Sequence, residues 1–292
     1  MRGLLVQRGG LLALVAALVV GSAASTGCGN EVPESSSSPQ RIIAVEPNVV
    51  ETLFELGLGK RVAAVGDHCE WPPEATEKPR IGGLLDPRLE LIAALEPDLA
   101  ILLPSEQALA TALGRLGVEV LVTPVETVQD VEQATAAIAA RAGVEGRGTE
   151  LVERLRRDVA PRPVANGVPV LMVVGREPGN LSDIYAAATG TFLDELLVRL
   201  DGVNILAQSP LRYPQIGLEE ISVRQPRVIV ELQPEALSAA IRADLIADWR
   251  RDLPGAEPCV VIIEGDHVLV PGPRIGTLYR DLADALKECA GD

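Results

Sequence analysis

Apolar residues fall along the chain in short runs that alternate with longer amphipathic stretches. Runs at 41–45, 62–66, 99–103 and 118–122 have strand length and are rich in Val, Ile and Leu. Helical patterns at 49–56, 87–95 and 107–116 lie between them. A second series of strand-like runs follows at 168–174, 228–232, 259–263 and 267–270, with helical patterns at 191–200, 218–223, 234–252 and 275–288. Short strands alternating with helices predict α/β architecture with parallel sheets. Two such lobes are expected, over 41–125 and 164–292. Between them, at 126–163, Leu151, Val152, Leu155 and Val159 share one helical face, with Glu150, Glu153, Arg154, Arg156 and Arg157 largely on the others. The segment 143–148 interrupts this pattern, so one or two helices connect the lobes as a stiff hinge.

The chain also repeats itself. Residues 89–103 read LELIAALEPDLAILL and residues 218–232 read LEEISVRQPRVIVEL. At one constant spacing, Leu89 matches Leu218, Glu90 matches Glu219, Ile92 matches Ile221, Pro97 matches Pro226 and Leu103 matches Leu232. Each unit reads as helix, Pro-containing turn and buried strand. Glu106 and Glu235 follow the two strands at matching places. Acids at a helix start complement its dipole, which is one reading of this pair.

The first 28 residues form a different kind of segment. Arg2 and Arg8 precede an apolar stretch at 11–24, which is shorter than the roughly 20 residues of a membrane span. A secretion signal is predicted. It ends in small residues and Gly27-Cys28, which resembles a bacterial lipoprotein cleavage site, although Ser25 stands where Leu is usual. Cys28 is therefore the expected lipidation site, and residues 29–40 form a Ser-rich tether. Three further cysteines, Cys69, Cys259 and Cys289, lack zinc-site spacing, and the sequence leaves their pairing open.

Composition narrows the chemistry. With 41 acidic against 26 basic residues the formal charge is −15, which argues against nucleic acid as partner. Two histidines, His68 and His267, exclude a histidine-rich metal cage. There is no G-x-S-x-G elbow, no Gly-rich phosphate loop and no H-E-x-x-H motif, so no enzymatic activity is expected.

Several segments, in order, resemble one family. They are RIIAVEPNVVE (41–51), LGLGKRVAAVG (56–66), DHCEWPPE (67–74) and LEPDLA (95–100). In the second half they are GREPG (175–179), LDELL (193–197), GVN (202–204), YPQ (213–215) and GPR (272–274). Together they are similar to the substrate-binding proteins of ABC importers for cobalamin, haem and iron–siderophores. The turn at 67–74 is most similar to cobalamin-binding members. Gly202-Val-Asn204 lacks a second Gly, Trp71 replaces a common Tyr, and Arg227 replaces a common Asp.

The resemblance implies two Rossmann-like α/β lobes joined by a long rigid helix, with the ligand cleft between them. It implies an exported, lipid-anchored, monomeric protein that captures a corrinoid and delivers it to a permease dimer with its ATPase. Haem or a ferric siderophore is the alternative ligand, and a ligand-sensing surface lipoprotein is the alternative role. Apart from the lipid, no covalent cofactor is expected.

Ligands of open α/β sheets bind at the C-terminal ends of strands. A flat macrocycle is well held by aromatic faces, and the chain has only seven aromatic residues. Trp71, before Pro72, Tyr213 and Tyr185 all fall in predicted loops and are candidate ligand contacts. A neutral His68 has the chemistry to ligate cobalt or haem iron, although a loop hydrogen bond is the plainer reading. Arg176 and Arg212 are candidates for propionate or phosphate groups. The family also implies one Glu per lobe meeting the two permease copies, and Glu106 and Glu235 are the expected pair.

Overall fold

The computed structural model describes residues 38–179, 181–253 and 257–290. The predicted signal, Cys28 and the tether up to residue 37 lie outside the described residues.

The first sheet is wholly parallel. Its strands are β1 (Ile42–Ala44), β2 (Val62–Val65), β3 (Leu99–Leu102) and β4 (Glu119–Val122), in the order β2-β1-β3-β4. Every residue of β1 and β3 is buried, as expected for strands covered on both faces. The crossovers carry α1 (Pro47–Glu55), α2 (Leu89–Ala94) and α3 (Gln107–Arg115). Pro47 opens α1, where its missing N–H costs nothing.

Two helices follow, α4 (Val128–Ala142) and α5 (Glu145–Asp158), which pack against each other. A reciprocal Thr127/Asp130 capping box starts α4, with both hydrogen bonds at 3.0 Å. Gly143 ends it in the left-handed region, at φ 70°. The connection is thus a helical pair, where the resemblance implied one long helix, because Gly143 turns the chain.

The second sheet comprises β5 (Pro169–Gly175), β6 (Ile184–Ala186), β7 (Val203–Asn204), β8 (Gln215–Ile216), β9 (Val228–Gln233) and β10 (Cys259–Glu264). Its order is β10-β9-β5-β6-β8, with β7 pairing β5. Parallel pairing holds for β10-β9-β5, whereas β6 and β8 join antiparallel. Its helices are α6 (Phe192–Arg199), α7 (Leu218–Arg224), α8 (Ala239–Asp252) and α9 (Ile275–Ala290). The predicted strand at 267–270 is instead a run of turns, because Gly265 bends the chain away from the sheet. The predicted helix over 234–252 starts only at Ala239, where Ser238 caps it.

One apolar core is continuous between the halves. It joins Ile42, Val49 and Leu53 to Val131, Ile138, Leu151 and Leu155, and these to Val170, Met172, Phe192 and Leu282. The helical pair therefore shares its buried face with both sheets. Cys259 and Cys289 form a disulfide that ties the last turn of α9 to the start of β10. Cys69 is a free, buried thiol. Among the described residues, no helix is long and apolar enough to cross a membrane.

Candidate functional site

The two sheets meet at the C-terminal ends of their strands. The Phe192 N–H donates to the Glu126 carbonyl at 2.6 Å, and the Val128 N–H donates to Glu195 Oε2 at 3.1 Å. On the opposite flank, a Cβ added at Gly272 would stand 3.3 Å from Asn48 Cα and Cβ, a tight contact, so glycine eases this approach of the 271–274 segment to α1. Arg274 then reaches Glu51 with two hydrogen bonds, at 2.6 and 3.1 Å. The strand-end loops bounded by these contacts are where a ligand of this fold is held.

From the first sheet this region receives Glu46, the 66–73 loop, and Glu106. Glu46 follows β1 and is half-buried, and burial raises its carboxyl above the usual range, partly offset by nearby His68. Glu106 is only 4% exposed. Its Oε2 accepts from the Leu103 N–H at 2.6 Å, and its buried Oε1 has no partner among the described residues. Burial pushes this carboxyl up to about 7, opposed by the Leu103 hydrogen bond and reinforced by the charge of Glu46.

The sequence-predicted residues fare differently. His68 is exposed, and Trp71 is 41% exposed with a cis peptide to half-buried Pro72. The Trp71 ring is engaged from the other half of the molecule, with the Arg274 guanidinium 4.9 Å from its centroid. Tyr213 and Tyr185 are also exposed over large parts of their rings. Burial drives the Tyr213 hydroxyl up to about 12, reinforced by Glu126 and opposed by Arg212. That coupling sets Tyr213 near the Glu126 end of the lobe junction. Tyr185 lies in β6 rather than in the expected loop. Arg212 is exposed, with no ion pair among the described residues.

Arg176 does not offer its charge to a ligand. Its guanidinium is fully buried, 2.8 Å from Glu231 Oε1 and 3.0 Å from Asp248 Oδ2, and it stacks over Trp249. Burial pushes Asp248 up, but hydrogen bonds from Arg176 and the Gly179 amide outweigh it and hold the carboxyl low. The expectation for Arg176 is corrected: these acids on β9 and α8 consume its donors, and no sequence motif announced them. His267 is likewise structural, with Nε2 2.9 Å from Asp281.

The expected docking pair does not present two equivalent carboxylates. Glu235 is exposed and Glu106 is buried, because Glu106 folds back as the cap of a short 3-10 turn at Pro104–Glu106. Glu90 and Glu219 also match across the repeat. Both are exposed, in the first turns of α2 and α7, and neither has an ion-pair partner among the described residues. The repeat carried this signal; only burial separates the two candidate pairs.

Arginine is scarce as a free charge here. On the strand-end loops Arg80 donates to the Gly66 and Cys69 carbonyls, Arg88 pairs with Asp67, and Arg274 pairs with Glu51 and Asp266. With Arg176 buried, Arg212 is the arginine left uncommitted on these loops among the described residues. Within the described residues, no group of three or more His, Cys, Asp or Glu side chains is arranged to hold a metal ion.

Two α/β sheets that meet at their strand ends around a helical connection define a two-lobe solute-binding protein. The chain belongs to the periplasmic binding protein family, whose profile matches residues 42–246. A vitamin B12-binding protein of Vibrio cholerae serotype O1 is 27% identical over 256 residues, covering 85% of this chain and 89% of that protein. The solved structure of a periplasmic vitamin B12 binding protein of Vibrio cholerae superposes with a TM-score of 0.70 at 24% identity, covering 87% of this chain and 99% of that one. A periplasmic heme binding protein of Pseudomonas aeruginosa superposes with a TM-score of 0.71 at 20% identity, covering 86% and 93%. These likenesses establish a shared fold.

Proposed function

We propose that this chain captures an amide-bearing corrinoid, cobalamin or a close analogue, in the cleft between its lobes and hands it to an ABC importer. The observation that carries this reading is the charge of the strand-end loops. Glu46 and Glu106 stand on the first lobe, while among the described residues every arginine there but Arg212 has donors committed to protein partners, acids for Arg88, Arg176 and Arg274 and the Gly66 and Cys69 carbonyls for Arg80. A ligand with free carboxylates, such as haem, or an anionic ferric siderophore would need uncommitted cations. Amide groups need only donors and acceptors, and Tyr213, Tyr185 and Trp71 supply polar-edged apolar faces. The vitamin B12-binding relatives support the same ligand class.

In this reading Glu90 and Glu219 are the permease-docking pair, in place of Glu106 and Glu235. A two-fold partner is met by two matched, exposed carboxylates, which steer encounter and fix register. Cys28 carries the lipid that holds the exported protein at the membrane.

The test is titration of the purified protein with cyanocobalamin, haemin and a ferric siderophore, followed by absorbance and calorimetry. Binding of cyanocobalamin in preference to haemin is expected. Tight haemin binding without corrinoid binding overturns the ligand assignment. Charge reversal at both Glu90 and Glu219 is expected to abolish uptake while leaving ligand affinity unchanged. Normal uptake by that variant overturns the docking pair.

A further inference from the structure

The two flanks of the lobe junction differ in chemistry. At one flank the 126–128 segment meets α6 largely through backbone groups. At the other, beside the close approach of Gly272 to Asn48, one side chain makes the ion pair among the described residues. Arg274 places Nη2 2.6 Å from Glu51 Oε1 and Nε 3.1 Å from Glu51 Oε2. Its Nη1 lies 2.7 Å from Asp266 Oδ1, and its guanidinium carbon is 4.9 Å from the Trp71 ring centroid. Glu51 and Trp71 belong to the first lobe, Asp266 and Arg274 to the second. Glu51 is 1% exposed, whereas Trp71 and Asp266 reach solvent.

We infer that Arg274 is a positioning residue: through Glu51 and Trp71 it fixes the spacing of the lobes, so that the cleft is formed before ligand arrives. A bidentate guanidinium–carboxylate pair is directional as well as strong. Pulling the lobes apart here would break both charge-assisted hydrogen bonds to the Glu51 carboxylate, which resists opening. The same planar group stacks on the indole, a combination that an ammonium on a flexible stem does not reproduce. One face of Trp71 is thereby taken, and the ring serves as part of the strut. A preformed cleft loses less freedom on binding.

The inference rests on the proposed function only in taking the cleft as the ligand site, and its first test needs no ligand. Trp71 and Trp249 are the two tryptophans of the chain, and Trp249 is fully buried. Acrylamide quenching of the ligand-free protein therefore reads Trp71, with Trp71→Phe as the control. Arg274→Ala is expected to raise the quenching constant about threefold and to speed backbone hydrogen exchange at 46–55 and 271–279 about tenfold, with α4 unchanged. Arg274→Lys should recover less than half of either effect. A variant with wild-type quenching and exchange overturns the inference.

Should Arg274→Ala fail to fold, the pair Glu51→Gln with Arg274→Gln keeps both sites polar and uncharged. It is expected to show the same loosening, and wild-type behaviour would overturn the inference equally. In titration with cyanocobalamin, Arg274→Ala should weaken binding about tenfold, mainly by faster release. Unchanged affinity would refute the link to binding. A wild-type protein that binds no cyanocobalamin refutes the proposed ligand, and the quenching and exchange measurements still decide the role of Arg274.

Discussion

Leu102 and Glu231 hold the same place in two copies of one unit, and both are fully buried. The backbone around them is alike. Each unit leaves its helix through a non-glycine residue in the left-handed region, Glu96 at φ 45° and Gln225 at φ 48°, and each of these precedes a proline. The chemistry at the strand is opposite. In the first lobe Leu102 packs with Ile43, Ala64 and Ile92. In the second, Glu231 takes Arg176, the Trp249 indole N–H and the Gln233 amide as partners. The repeat preserved a path for the chain and not a core. A buried carboxylate in a sheet has to bring its own cation, and that cation is the arginine that sequence reading offered to a ligand.

The sharpest way to break this comparison is to remove the cation. Arg176→Met leaves Glu231 buried without a counter-charge and Asp248 with Arg251 alone, and should cost about 3–5 kcal/mol in urea unfolding. Leu102→Ala at the matched position should cost about 2–5 kcal/mol through its cavity alone. Ligand affinity of the folded Arg176→Met protein should stay near wild type. A variant that loses ligand without losing stability would return Arg176 to the binding site.

The second lobe also carries a covalent closure that the first lacks. The Cys259–Cys289 bridge spans 30 residues, whereas Cys69 stays free, with burial pushing its thiol up to about 12. In the chain-entropy account a loop of this size is worth about 3–4 kcal/mol. Replacing both cysteines by Ser should lower the urea midpoint accordingly. Cys69→Ala should change it by less than about 1 kcal/mol if local packing adjusts, with unchanged inertness toward thiol reagents in the native protein.

Most of the fold was legible because parallel strands, buried on both faces, write continuous apolar runs. Strands β1 to β4 lie within predicted runs, and β5, β9 and β10 each overrun theirs by one residue. The two- and three-residue strands β6, β7 and β8 were not legible, since so short a segment has no period to read. The run 267–270 has strand composition, but Gly265 turns it out of register, and Val268 is buried in a turn. Among site residues, the loop positions of Trp71, Arg212 and Tyr213 followed from their Pro- and turn-rich sequence, whereas that of Tyr185 did not, since it lies in β6. The fates of Arg176 and Glu106 did not, because a partner 55 residues away and a backfolded carboxylate leave no local mark.

The matched glutamates offer a test by pH. The Glu106 carboxyl rises from an ordinary 4.5 to about 7 in the folded protein. Between these values the folded protein holds a proton that the unfolded chain has released. Stability therefore falls as pH rises through that window and levels off above it. Glu106→Gln removes the charge while keeping an acceptor for the Leu103 amide. It should stabilise by on the order of 2 kcal/mol at pH 8 and by almost nothing at pH 4.5. Glu235→Gln, at the exposed counterpart, should change stability by less than about 0.5 kcal/mol. Equal effects at the two positions would erase the difference between the lobes.

The smallest expected effect concerns what the repeats share. A left-handed backbone costs an L-residue roughly 1–2 kcal/mol relative to the usual helical region, and glycine escapes that cost. Glycine also frees the unfolded chain, which cancels part of the gain. Glu96→Gly and Gln225→Gly should each stabilise by about 0.5–1 kcal/mol, and the two should add because they lie in turns of separate lobes. Thermal and urea unfolding of both single variants and the double variant provide the check. If the shared turn is a structural stop inherited by both units, the two gains will match. A gain at one position and a loss at the other would mean that one side chain has acquired a contact beyond its turn, and that the likeness of the two units ends at the backbone angle.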